Sequence, residues 1–124
     1  MSVYPSAKKK APLAPQDVSK DKQVQEEYAA NPYANPNVYL KAIHGPLSSG
    51  LNILNREYQN WPQDLPLLLV HGTADKVCDF KGSKELSEKI NAKDKTFIPL
   101  EGYYHEMHNE PGEEKVVMIN HVTE

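Results

Sequence analysis

Leu65-Pro66-Leu67-Leu68-Leu69-Val70-His71-Gly72-Thr73-Ala74-Asp75 is the stretch on which the fold turns. Leu67 to Val70 form a continuous apolar run, too short to be a helix of its own, and it stops at His71-Gly72. Such a run reads as a strand buried on both faces, the usual state of a central parallel strand. Downstream, the spacing of Leu86 and Ile90 predicts a helix from about Phe80 to Ile90. Thr96-Phe97-Ile98-Pro99-Leu100 reads as the next strand. Pro99 has no N–H for a ladder bond, so this strand belongs at a sheet edge. Asn109-Glu110-Pro111 opens a last helix with Val116, Ile119 and Val122 as its apolar stripe. Strand, helix, strand, helix implies a right-handed parallel crossover.

Upstream the character of the chain changes. Residues 1–16, with Lys8-Lys9-Lys10 and Pro5, Pro12 and Pro15, read as an extended or disordered lead-in. A helix is expected from Asp17 to Ala30, capped by Asp17 or Ser19 and ended by Asn31-Pro32. A second should run from about Val38 to Ile43 and break at Gly45-Pro46. A third should run from Leu47 to about Tyr58 and close at Trp61-Pro62. No internal repeat is visible.

Composition narrows the function classes. The 124 residues carry a formal net charge of −3, which argues against a general nucleic-acid binder with its concentrated basic face. One cysteine excludes an intrachain disulfide and a cysteine-rich metal site. No apolar run approaches the roughly 18 residues a bilayer span requires, and the N-terminus has no apolar core of a secretory signal. A cytoplasmic protein is expected. Lys8-Lys9-Lys10 offers peripheral contact to membranes or lipid droplets, with plain solvation as the alternative.

Chemistry in a parallel α/β sheet concentrates just past the carboxyl ends of the strands. Asp75 follows the first strand there, and His105 follows the second. A carboxylate on one imidazole nitrogen fixes the tautomer and leaves the other nitrogen as a general base. Alone, Asp75 reads as a turn or helix-cap residue and His105 as a loop histidine; their joint placement favours a catalytic pair.

Other candidates are weaker. Ser48 in Pro46-Leu47-Ser48-Ser49-Gly50 has proline where a nucleophile elbow needs glycine, and helix capping by Ser48 or Ser49 is the plainer reading. His105-Glu106-Met107-His108 falls one residue short of the His-Glu-x-x-His zinc motif, so no metal site is expected, and no cofactor. Cys78 reads as a small buried apolar residue, with a reachable thiol as the alternative. His71 is expected to pack at its strand end, and His44 and His121 to lie at the surface.

Leu-Leu-Leu-Val-His-Gly-Thr-Ala-Asp-Lys-Val-Cys-Asp at 67–79 and Glu-Gly-Tyr-Tyr-His-Glu-Met-His-Asn-Glu at 101–110 together resemble the C-terminal part of the monoacylglycerol lipases. These belong to the serine-aminopeptidase-like branch of the α/β-hydrolases. The resemblance implies the last two parallel strands of that fold with their crossover and terminal helices, residues 61–124. It implies a helical lid remnant and connecting helix over 17–60, behind the 1–16 lead-in. It makes Asp75 the triad acid and His105 the triad base, and implies a monoacylglycerol or other acyl ester as substrate. Chain order in this fold is Ser, Asp, His, yet these residues hold no Gly-x-Ser-x-Gly and no oxyanion loop. The expectation is the C-terminal portion of a serine ester hydrolase, inactive alone and needing an N-terminal part. The alternative is a non-catalytic module that binds lipid or a partner. With two strands alone, the piece is expected to be marginally stable.

Overall fold

The computed structural model describes residues 8–10, 13–34 and 37–123. The two strands read from the sequence are present as β3 (Leu67–Gly72) and β4 (Lys95–Leu100), with α4 (Phe80–Lys89) between them. Upstream lie β1 (Lys8–Lys10), α1 (Pro15–Val18), α2 (Lys22–Ala30), β2 (Asn37–Tyr39) and α3 (Leu40–Asn55), and the last element is α5 (Glu114–Thr123).

β3 and β4 pair in parallel, with Leu69 opposite Phe97 and His71 opposite Pro99. Pro99 is tolerated because, among the described residues, β4 is bonded along one side only. Phe80, at the start of α4, meets both strands: its ring stands edge-on to His71 at 5.7 Å and lies 5.8 Å from Phe97. The face of β3 carrying Leu69 and His71 is therefore the one α4 covers. On the opposite face Leu68 is 45% exposed. The expectation of burial on both faces thus fails within the described residues, where only Gly72 of this strand is buried.

Each α4 end has a local cause. The Asp79 side chain accepts the Lys81 N–H and caps the start. Ile90, buried, ends it by turning extended.

The upstream half departs from the sequence expectation in several places, among them Val38, which lies in β2 and not at the start of a helix. The helix expected over 17–30 is two helices, because Ser19 and Asp21 leave the helical path and Asp21 caps α2 through the Gln23 N–H. Lys8–Lys10 pairs antiparallel with Asn37–Tyr39, so this part of the lead-in is extended and ordered by pairing. Gly45-Pro46 does not break the chain: α3 runs straight across it from Leu40 to Asn55. Proline removes one N–H bond from a helix interior, a penalty of about 3 kcal/mol, and the α-helical ladder resumes after it. Ser48 is consequently not a cap. It sits inside α3, donating to the carbonyls of His44 (2.7 Å) and Gly45 (3.0 Å), the local back-bonding of helical serines. Trp61 does close the region, after a 3-10 turn at Glu57–Asn60.

At the C-terminal end, Pro111 lies in turns that precede α5 rather than in its first turn. Val116, Ile119 and Val122 are all exposed among the described residues. No helix of the described residues is long and apolar enough to cross a membrane.

Candidate active site

The two loops at the carboxyl ends of β3 and β4 are stitched together by backbone. The Thr73 N–H donates to the Leu100 carbonyl (2.9 Å) and the Ala74 N–H to the Tyr103 carbonyl (3.0 Å). The Thr73 hydroxyl accepts the Gly102 N–H at 2.8 Å, where Gly102 turns the chain with φ 75°. Gly72 sits under this seam, and only a residue without a Cβ fits there. A Cβ would fall 2.3 Å from the Tyr103 carbonyl oxygen and 2.8 Å from that of Tyr104.

Asp75 and His105 meet across the seam. Asp75 Oδ2 lies 3.0 Å from His105 Nδ1. Asp75 Oδ1 accepts the N–H groups of Val77 (2.7 Å) and Cys78 (2.9 Å). Its side chain is only 4% exposed, whereas that of His105 is 35% exposed. Burial pushes the Asp75 carboxyl up, but the Cys78 N–H, the His105 ring and the Val77 N–H together outweigh it and hold the carboxyl below its ordinary value. The arrangement is a carboxylate kept charged in a shielded site, aimed at one nitrogen of an imidazole that solutes can reach.

His71 belongs to the same cluster, which its reading as a strand-end packing residue did not foresee. Its Nδ1 lies 2.6 Å from the Ser83 hydroxyl, and its Nε2 lies 3.2 Å from Asp75 Oδ2. That Nε2 is buried and not aligned for a hydrogen bond with any partner, so it stands beside Asp75 without bonding to it. The available signal was the position of His71 at the end of its strand, four residues before Asp75.

Cys78 is exposed, contrary to the buried reading, and lies in a turn whose N–H groups Asp75 Oδ1 accepts. Partial burial and the Asp75 charge both push its thiol up. Donor atoms of Asp75, Cys78 and His105 lie within 4.8 Å of one another. Both Asp75 oxygens are already engaged by hydrogen bonds, so this is first an acid–base cluster. His44, His108 and His121 are exposed and stand outside it.

Beside the cluster is a cleft of about 230 Å³ between α3 and α4, lined by Ile53, Leu54, His71, Cys78, Ser83 and Leu86 among others. It joins an apolar wall to the polar sheet top.

A sheet end bearing an acid and a base on successive parallel strands is an α/β-hydrolase feature, and residues 1–112 match the family described as Serine aminopeptidase, S33. The chain belongs to that family. Within it, the chain is monoglyceride lipase-like. It is 34% identical over 107 residues to the monoacylglycerol lipase of Mycolicibacterium smegmatis, covering 82% of this chain and 35% of that protein. It is 43% identical over 61 residues to the monoglyceride lipase of Rattus norvegicus, covering 48% of this chain and 20% of that protein. The chain thus spans about a third or less of the curated relatives it matches. In fold it is similar to a soluble variant of monoglyceride lipase from Saccharomyces cerevisiae, solved with a substrate analog. That likeness has a TM-score of 0.86 at 21% identity and covers 95% of this chain and 40% of that one.

Proposed function

We propose that these residues supply the acid and base of a serine ester hydrolase acting on monoacylglycerols or similar acyl esters. The observation that carries the reading is the 3.0 Å contact between Asp75 Oδ2 and His105 Nδ1. Asp75 holds the proton on Nδ1 and stabilises the imidazolium; the other nitrogen of His105 takes a proton from an attacking serine and returns it to the leaving alcohol. The apolar wall of the cleft beside Cys78 receives acyl carbons, and residues 17–60 form part of a lid over it. The serine and the oxyanion donors come from an N-terminal part, since the 124 residues contain no Gly-x-Ser-x-Gly. Alone, the chain is inactive. A cytoplasmic setting with peripheral contact to membranes or lipid droplets fits such a substrate.

Two measurements test this. The purified chain should hydrolyse p-nitrophenyl esters no faster than its His105→Ala variant, and a fluorophosphonate should not label it. Stoichiometric labelling would overturn the missing-nucleophile reading. A chimera carrying this chain in place of the matching 107-residue part of the Mycolicibacterium relative should hydrolyse monoacylglycerol and lose that activity with Asp75→Ala or His105→Ala. A folded chimera whose activity ignores both changes would leave the alternative, a lipid- or partner-binding module. The exposed Leu47 and Leu51 on α3 are the observation in its favour.

A further inference from the structure

Glu110 is a carboxylate with no exposed surface at all. Burying a charge-bearing side chain is costly unless its oxygens are met by donors. Here they are met by backbone. Oε1 accepts the Tyr104 N–H at 2.7 Å, and Oε2 accepts the Lys20 N–H at 3.4 Å. The Lys20 ammonium stands 3.7 Å from Oε2 and pairs with Glu114 as well.

The Tyr104 N–H belongs to the peptide unit that joins Tyr103 to Tyr104. The carbonyl of that unit is the one that accepts the Ala74 N–H at 3.0 Å. One peptide plane is therefore gripped at both ends: by Glu110 on its N–H, and by the residue before Asp75 on its carbonyl. The next residue along the chain is His105. Fixing that plane restrains the backbone that leads into His105, and so the approach of its side chain to Asp75.

The segment around Lys20 is in turn strapped to the same loop. The Glu106 N–H donates to the Val18 carbonyl (2.7 Å), and the Ser19 hydroxyl donates to the Asn109 carbonyl (2.7 Å). Val18 and Ser19 are fully buried in this contact. Glu110 lies where the strap, the base loop and the acid loop converge.

We propose that Glu110 is the positioning residue for His105: its buried carboxylate orients the Tyr103–Tyr104 peptide and through it aligns the imidazole with Asp75. An apolar side chain of similar volume would fill the space and leave the Tyr104 N–H without a partner. The inference rests on the reading of Asp75 and His105 as an acid–base pair, and its test separates the two.

The ring nitrogens of His105 report the alignment directly. A histidine held by a carboxylate on Nδ1 keeps its proton there, whereas the tautomer otherwise follows whatever bond the ring finds. Long-range proton–nitrogen spectra of the full chain should show His105 as the Nδ1–H tautomer. In Glu110→Met, which fills most of the space but offers the Tyr104 N–H no oxygen acceptor, that tautomer should lose its excess. The amides of Leu67 to Val70 should stay dispersed and protected. Glu110→Asp keeps the charge and draws the carboxylate back by one methylene, and should give the same loss if the methionine variant does not fold. A folded Glu110→Met chain with His105 unchanged overturns the proposal. So does collapse of the sheet amides in both variants, which assigns Glu110 to general stability. Absence of the Nδ1–H tautomer in the unmodified chain instead overturns the acid–base pair itself.

Discussion

Gly72 lies so close to Tyr103 that a Cβ on the glycine would fall 2.3 Å from the Tyr103 carbonyl oxygen. The contact involves backbone on both sides, so no side chain can swing away to relieve it. Gly72→Ala should therefore part the seam between the acid and base loops at a cost of about 3 kcal/mol or more, the upper end of overpacking effects. Urea denaturation measures it. A loss under about 0.5 kcal/mol, the level of an ordinary surface change, would mean that the two loops do not meet as described.

Stability should fall with acid in a way that depends on Asp75. Its carboxyl is held below the ordinary value of 3.8, so its contribution is fully present above that value. It is lost as pH falls through the lower value of the folded state, because the unfolded chain then binds the proton more readily. Urea midpoints taken downward from about pH 5 should drop steeply in the unmodified chain and less steeply in Asp75→Asn. Parallel curves would contradict the shift.

Ser83→Ala should cost about 1–3 kcal/mol, the penalty for leaving a buried polar group without its partner. The group is His71 Nδ1, 2.6 Å from the Ser83 hydroxyl, on a ring whose other nitrogen already lacks one. The ring would then be free to reorient, its Nε2 already 3.2 Å from Asp75 Oδ2. Thermal unfolding gives the loss, and the His71 ring nitrogens give the reorientation; neither should change if Ser83 is incidental.

Cys78 should react sluggishly for an exposed thiol. Partial burial and the nearby Asp75 charge both disfavour its thiolate, the reactive form. Disulfide exchange with an aromatic disulfide at neutral pH should be slower than for a free cysteine and should speed up in Asp75→Asn. A faster rate in the unmodified chain would reverse the electrostatic account.

The strand at Leu67–Gly72, its partner ending at Leu100 and the crossover helix were legible because each is written in a short stretch of sequence. The apolar run, the spacing of Leu86 and Ile90 and the punctuation by Gly and Pro are all local signals. That Asp75 and His105 meet was legible because each follows the carboxyl end of one of two neighbouring strands. What sequence order hides is contact across long separations. Ser19 looked like a helix cap, and its hydroxyl instead donates to the Asn109 carbonyl, 90 positions away. Glu110 looked like helix-start chemistry, and it is buried under the base loop. Gly45-Pro46 misled for a different reason: a proline deletes one bond from a helix, and the bonds on either side outvoted it.

That strap also orders events in time. The unit from Leu67 to Leu100 closes over a short span of chain, so its loop-closure entropy is small and it can form early. The contact between Ser19 and Asn109 closes a loop of some ninety residues and contributes only once both ends have been recruited. Pulse-labelled refolding should show protection at Leu67 to Val70 before protection at Glu106; the reverse order would refute the sequence of steps. Asp75, carried on the early unit, is in place first. Tyr104 and Glu106, which flank His105, are held by contacts that reach Glu110 and Val18, so a chain in which those ends have not met should hold Asp75 in place with the His105 loop still unstrapped.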